Sequence, residues 1–215
     1  MIRLIAVSLI LIQALCALVS AQDKAVGSKA VERLPVSYGL VVDNSGSFRT
    51  LLDRVVAAAA DVVEVNGAED EAFVVTFVDT PKIVLRQEFT TKKSELHDAI
   101  ENMFIEGGQT AILDAVKSAA DYLSQNARND GDRLHALVLV TDGEDRASVS
   151  KIEDVIKILK ENHIRVFVVA MSDTKIFPKV IDRLAKETGG IVVVSKTRAD
   201  LATAVNQISA QMRTR

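Results

Sequence analysis

Two passages of this chain carry a largely apolar run straight into an aspartate. Tyr38-Gly39-Leu40-Val41-Val42 ends in Asp43, and Leu134-His135-Ala136-Leu137-Val138-Leu139-Val140-Thr141 ends in Asp142-Gly143. A strand that is apolar at nearly every position, not only at alternate ones, must be covered on both faces. The covering layers are visible in between. From Phe48 to about Val65, residues Leu51, Leu52, Val55, Val56, Ala59, Val62 and Val63 recur three and four apart, the spacing of an amphipathic helix. Strands alternating with such helices predict an α/β fold, a mostly parallel sheet with helices on both faces.

Taken in order, Pro35 opens the folded part, and Asn66-Gly67 is expected to stop the first helix with a left-handed residue. Ala72–Val78 reads as a second strand, and Asp79-Thr80-Pro81 turns the chain into a short return strand over 82–86. The two form a hairpin with one antiparallel edge strand. Ser94 is expected to cap a short helix running to about Met103. The loop 105–109 then leads to Thr110 and a helix over about 111–125 with Ile112, Leu113, Val116, Ala119 and Leu123 inward. After the strand ending at Thr141, the pattern predicts helix 149–161, strand 165–170, helix 177–187, strand 191–194 and a last helix over 199–212.

In an open parallel sheet the strand-to-helix loops gather on the rim at the carboxyl ends of the strands. Three separate segments are therefore expected to meet there. Asp43, Ser45 and Ser47 alternate just past the first strand, so their side chains can converge if extended geometry persists. Thr110 follows the pair Gly107-Gly108, which allows close backbone approach, and Asp142 leaves a buried strand through Gly143. Five oxygen side chains on one rim suit Mg²⁺, with Mn²⁺ or Ca²⁺ as related alternatives, because these hard cations take oxygen ligands. Only two of the five are carboxylates, so an anionic ligand from outside would be welcome. A plainer use of the first segment is a strand-to-helix turn with Ser47 as the N-cap.

The D-x-S-x-S of Asp43, Ser45 and Ser47, the G-G-x-T of Gly107 to Thr110 and the T-D-G of Thr141 to Gly143, in this order between alternating strands and helices, resemble a von Willebrand factor type A domain. The resemblance extends from about residue 36 to the C-terminus. It implies a three-layer doubly wound sheet of six strands in the order 3-2-1-4-5-6. It also implies a metal-ion-dependent adhesion site in which Ser45, Ser47 and Thr110 contact Mg²⁺ directly or through water and Asp43 and Asp142 hold the shell. In that family an Asp or Glu carboxylate of a partner protein typically fills the open coordination position. The chain is more similar to bacterial secreted members than to integrins, since Phe48-Arg49-Thr50 lacks the adjacent acids of a second, regulatory metal site.

Other polar residues carry weaker signals. Asp114, one turn beyond Thr110, suits either an orienting group behind the site or a capping acid, and Glu144 and Asp145 read as a solvated loop. His97, His135 and His163 have no ligand spacing, and Phe48 and Phe177 suit buried packing or a partner contact at the rim. The expected function is a secreted, non-enzymatic protein-binding module. Two rivals remain: an Mg²⁺-dependent phosphohydrolase with Asp43 as nucleophile, and a metal-independent structural interaction domain. Against the hydrolase, the position two residues after Asp43, where a second acid is usual, holds Ser45.

Charge is nearly balanced, with 29 Asp+Glu against 26 Lys+Arg, and there is no Trp, so neither the field nor the stacking surface for nucleic acid is present. Met1-Ile2-Arg3, an apolar run from Leu4 and the small-residue end Val19-Ser20-Ala21 read as a signal peptide over 1–21. A flexible lead-in over 22–34 and the domain over 35–215 follow. An uncleaved anchor is the alternative, disfavoured by the short apolar run and Gln13. The sole cysteine, Cys16, falls inside the signal, and Leu15 before it argues against lipidation. The mature chain is thus expected in a secreted or periplasmic compartment, without a membrane span.

Overall fold

The computed structural model describes residues 33–214. The signal-peptide reading, Cys16 and the lead-in up to residue 32 lie outside the described residues. Strand β1 (Val36–Asp43) is followed by a 3-10 turn at Gly46–Phe48 and helix α1 (Leu52–Glu64). Next come β2 (Glu71–Phe77), β3 (Ile83–Thr90), α2 (Lys93–Glu101) and α3 (Ile112–Asn126). The second half runs β4 (Leu134–Thr141), α4 (Ile152–Glu161), β5 (Ile164–Ala170), α5 (Pro178–Thr188), β6 (Val192–Val194) and α6 (Arg198–Met212).

The six strands form one sheet in the order β3-β2-β1-β4-β5-β6, parallel throughout except for the antiparallel β2–β3 pair. Strand periodicity divides the core in two. Val36, Tyr38, Leu40 and Val42 of β1 pack with α1, α2 and α6 on one side, while Val41 joins Phe73, Leu137 and Leu139 against α3, α4 and α5 on the other. Gly39 sits on that second face, where a Cβ would come within 2.3 Å of the Phe73 ring. The missing side chain gives Phe73 room to meet Phe89 and Tyr122 at centroid distances of 4.9 and 4.8 Å.

Several boundaries differ from the sequence expectation for local reasons. The return strand continues to Thr90, because its polar residues lie on an edge facing solvent and a bulged register lets Phe89 reach the core. Gly67 is not left-handed. Instead α1 stops at Val65 and Asp70 Oδ2 accepts the Gly67 amide at 2.7 Å. Ser94 is not a cap, since α2 begins at Lys93 with Lys92 before it and no side-chain cap bond. Nor does Ser47 cap α1, which starts at Leu52 beyond the 3-10 turn. The stop after α5 is left-handed, with Gly189 at φ 77°.

At the opposite end from the strand-exit loops, Asp70 ties the termini of the domain together. Its Oδ1 accepts the Val36 amide at 2.9 Å, and its Oδ2 pairs with the buried guanidinium of Arg213 just past α6.

Candidate metal centre

The exits of β1, β2 and β4 and the loop between α2 and α3 meet at one rim, and backbone hydrogen bonds stitch these four segments together. Asn44 N donates to Phe77 O, Ala111 N to Val78 O, and Arg146 and Ala147 N both to Thr110 O. The stitching brings all five predicted residues to one place. Thr110 Oγ1 donates to Ser45 Oγ at 3.3 Å, Ser45 Oγ lies 3.1 Å from Ser47 Oγ, and the Ser47 hydroxyl bonds the Asp142 carboxylate. Asp43 stands behind this chain, with Oδ1 accepting the Ser45 amide at 3.0 Å and Oδ2 the Thr141 hydroxyl at 2.9 Å. Asp43, Ser45, Thr110 and Asp142 are buried while Ser47 is exposed, so the cluster opens to solvent on the Ser47 side.

Glycine makes two of these approaches possible. Gly143, at φ 86°, sits against the Phe177 carbonyl, which a Cβ would strike at 2.3 Å. Gly108, at φ 129°, lies on the Val78 side chain, 2.6 Å from where its Cβ would be. Both conformations are ones other residues rarely adopt.

The electrostatics are those of a site short of positive charge. Burial, helped by the neighbouring Asp142 charge, pushes the Asp43 carboxyl up to about 7 against the hydrogen bonds from Ser45 and Thr141. Burial likewise raises Asp142, with Glu144 adding to it, although the Glu144 amide and the Ser47 hydroxyl oppose the shift. Two further oxygens among these loops, Asn44 Oδ1 and Asp79 Oδ1, are buried without a hydrogen-bond partner in the described structure. A dication would relieve both raised carboxyls. Among the described residues no group of three or more His, Cys, Asp and Glu side chains is placed to hold a metal. The donors here are instead three hydroxyls and two acids, all oxygen, a set that suits a hard cation retaining some of its waters.

The other sequence candidates sort out clearly. Asp114 is a loop anchor. Burial raises its carboxyl, yet hydrogen bonds from Ser150, the Thr80 hydroxyl and the Val149 amide outweigh this and hold it below the usual carboxylate range. Asp145 is not merely solvated, because its Oδ1 accepts the Ile112 amide at 2.9 Å and the Ser148 hydroxyl at 2.6 Å, fixing the first turn of α3. Phe48 is buried in the α1 side of the core, and Phe177 is half-buried with Lys175 over its ring. His97 contacts Glu64 at 2.6 Å, away from the rim. Sequence reading missed Asp145 as a helix anchor and Asp79 as a half-buried acid beside Gly108, with its Oδ1 buried. An acid 33 positions after the amide it holds leaves no local signal.

The fold and this rim define a doubly wound α/β protein of the kind that carries a ligand site on its strand-exit loops. The von Willebrand factor type A domain matches residues 39–211, and the chain belongs to that family. It is 33% identical over 124 residues to the uncharacterized protein sll0103 of Synechocystis sp., which covers 56% of this chain and 29% of that protein. The chain therefore spans less than a third of that relative's length. Among solved structures it is similar to a von Willebrand factor type A protein from Catenulispora acidiphila (TM-score 0.69, 16% identity, 83% of this chain and 43% of that one). It is also similar to an aerotolerance-related membrane protein from Bacteroides fragilis (TM-score 0.67, 19% identity, 82% and 100%). A third is the conserved hypothetical protein BatB from Bacteroides thetaiotaomicron (TM-score 0.65, 16% identity, 84% and 100%). At these identities the likeness is one of fold. Among the described residues no helix is long and apolar enough to cross a membrane.

Proposed function

We propose that this domain is an exported protein-binding module that holds Mg²⁺ on its strand-exit rim and uses it to capture an Asp or Glu carboxylate of a partner protein. The observation that carries the reading is the continuous contact from Thr110 through Ser45 and Ser47 to Asp142, with Asp43 behind it and the Ser47 end open. Ser45, Ser47 and Thr110 are the hydroxyl donors, and Asp43 and Asp142 supply the negative charge. The bound ion would act as a Lewis acid toward an incoming anion. Two carboxylates balance one dication, so a third from outside is not repelled.

The same geometry supports a binding role over a hydrolytic one. Both Asp43 oxygens accept hydrogen bonds, from the Ser45 amide and the Thr141 hydroxyl, and the side chain is fully buried, a poor arrangement for attack on phosphorus. The signal-like N-terminal pattern supports a secreted or periplasmic location, which cell fractionation and N-terminal sequencing of the mature protein would check. The direct test is calorimetric titration of the EDTA-stripped protein with Mg²⁺, followed by acetyl-Gly-Asp-Gly-amide. Saturable Mg²⁺ binding that Asp142→Ala abolishes, and peptide binding seen only with Mg²⁺, are expected. Peptide binding indifferent to EDTA would overturn the reading.

A further inference from the structure

Four large apolar side chains are more than a third exposed among the described residues, and two of them, Phe104 at 53% and Val149 at 82%, stand on the loops that frame the metal centre. Neither loop is loose. The Phe104 carbonyl accepts from Asn44 Nδ2 at 3.0 Å, between Asp43 and Ser45, and Glu106 N donates to Asn44 O at 3.1 Å. The Phe104 ring lies under the Arg86 guanidinium at 5.2 Å, which is itself fixed by Thr76 Oγ1 and Glu106 Oε1. On the other side Arg146 and Ala147 donate to Thr110 O, and the Val149 amide is held by Asp114 Oδ2 at 3.0 Å.

Two ion pairs take up charge on these loops. Glu106 pairs with Arg86 at 2.9 Å, and Glu144 with Arg146 at 2.6 Å. Of the exposed side chains here, Phe104 and Val149 are the large apolar ones, alongside Gln109, Lys151 and, just past Ser47, Arg49. Exposed apolar groups that a fold holds in place next to a polar centre have the character of binding anchors.

Building on the proposed metal site, we propose that Phe104 and Val149 are specificity anchors. They select a partner segment in which the metal-bound Asp or Glu is flanked directly by large apolar residues, rather than an acidic residue between small or polar ones. A carboxylate seated on the metal places its chain neighbours over the two framing loops, where an apolar side chain covers Phe104 or Val149 and a polar one leaves them in water.

The test uses two peptides, acetyl-Gly-Leu-Asp-Leu-Gly-amide and acetyl-Gly-Gly-Asp-Gly-Gly-amide, with their Asp→Asn counterparts, titrated into the Mg²⁺-loaded protein and followed by NMR shift changes. The leucine-flanked peptide is expected to bind at least about tenfold tighter, the magnitude of partly burying two apolar side chains. Both Asn versions should fail. Phe104→Ser with Val149→Ser should bring the two Asp peptides to within about twofold of each other, while calorimetric Mg²⁺ affinity stays at the wild-type value. Equal binding of the two Asp peptides to wild type, a preference that survives the double substitution, or no binding of either to the Mg²⁺-loaded protein would overturn the anchor assignment and leave the metal site standing. Absence of Mg²⁺ binding in wild type would instead bring down the metal reading, and this inference with it.

Discussion

Replacing Asp43 with Asn should stabilise the metal-free protein at alkaline pH while destroying its metal site. The native carboxyl sits fully buried behind Ser45, pushed up to about 7 by burial first and by the Asp142 charge second, from an ordinary value of 3.8. Between those two values the folded chain holds a proton that the unfolded chain has released. Stability contributed by that proton is complete below about pH 4, declines as pH rises, and is gone above about pH 7. The gap of about three units corresponds to about 4 kcal/mol, or roughly ten degrees of melting temperature for a domain of this size. An asparagine amide keeps both contacts, with Oδ1 toward the Ser45 amide and Nδ2 donating to Thr141 Oγ1, and it does not titrate. Thermal melts in EDTA from pH 4.5 to 8.5 should therefore show wild type losing stability as pH rises and Asp43→Asn staying level, so that the variant is the more stable at pH 8. Mg²⁺ should restore wild type at pH 8, have little effect at pH 5, and leave the variant unchanged. A variant that melts several degrees below wild type at pH 8 in EDTA, or that tracks its pH dependence, would refute the reasoning.

Three further outcomes follow from the packing. Gly39→Ala places a methyl 2.3 Å from the Phe73 ring and should cost about 1–3 kcal/mol in urea unfolding, with Phe73→Leu in the same chain recovering part of the loss. Asp70→Asn leaves the buried Arg213 charge without its partner and should cost about 3–5 kcal/mol, seen as a lower urea midpoint. Asp114→Ala leaves the Val149 and Ser150 amides unpaired and should speed their hydrogen exchange at least about tenfold while weakening Mg²⁺ binding through the loop that carries Asp142.

The strands and helices were legible because their apolar residues follow two different periods. Val41 and Val42 could be placed on opposite faces of β1 before any coordinates, and they do pack in opposite halves of the core. The convergence of the five residues was legible because Asp43, Ser45, Ser47 and Asp142 lie at or just past the ends of β1 and β4, and Thr110 follows a glycine pair at the start of α3. What stayed hidden was long-range. Asp114 and Asp145 look like ordinary helix-start and loop acids, and only the wrapping of the 142–151 loop around Thr110 makes them anchors. The stop after α1 was misread because Asp70, not glycine geometry, closes it. The polar edge strand β3 was cut short since half its residues are written for solvent. The anchors Phe104 and Val149 carried no sequence signal, because an exposed apolar residue is recognised only once the surface is known.

The central claim is tested most directly by a crystal structure of the protein grown with Mn²⁺, using the anomalous signal to locate the ion. The account predicts one peak lying about 2–2.3 Å from the hydroxyls of Ser45 and Ser47, bordered by Thr110 and Asp142 and with a coordination position facing solvent. A map with Mn²⁺ at other surface carboxylates and nothing between Ser45, Thr110 and Asp142 would contradict it.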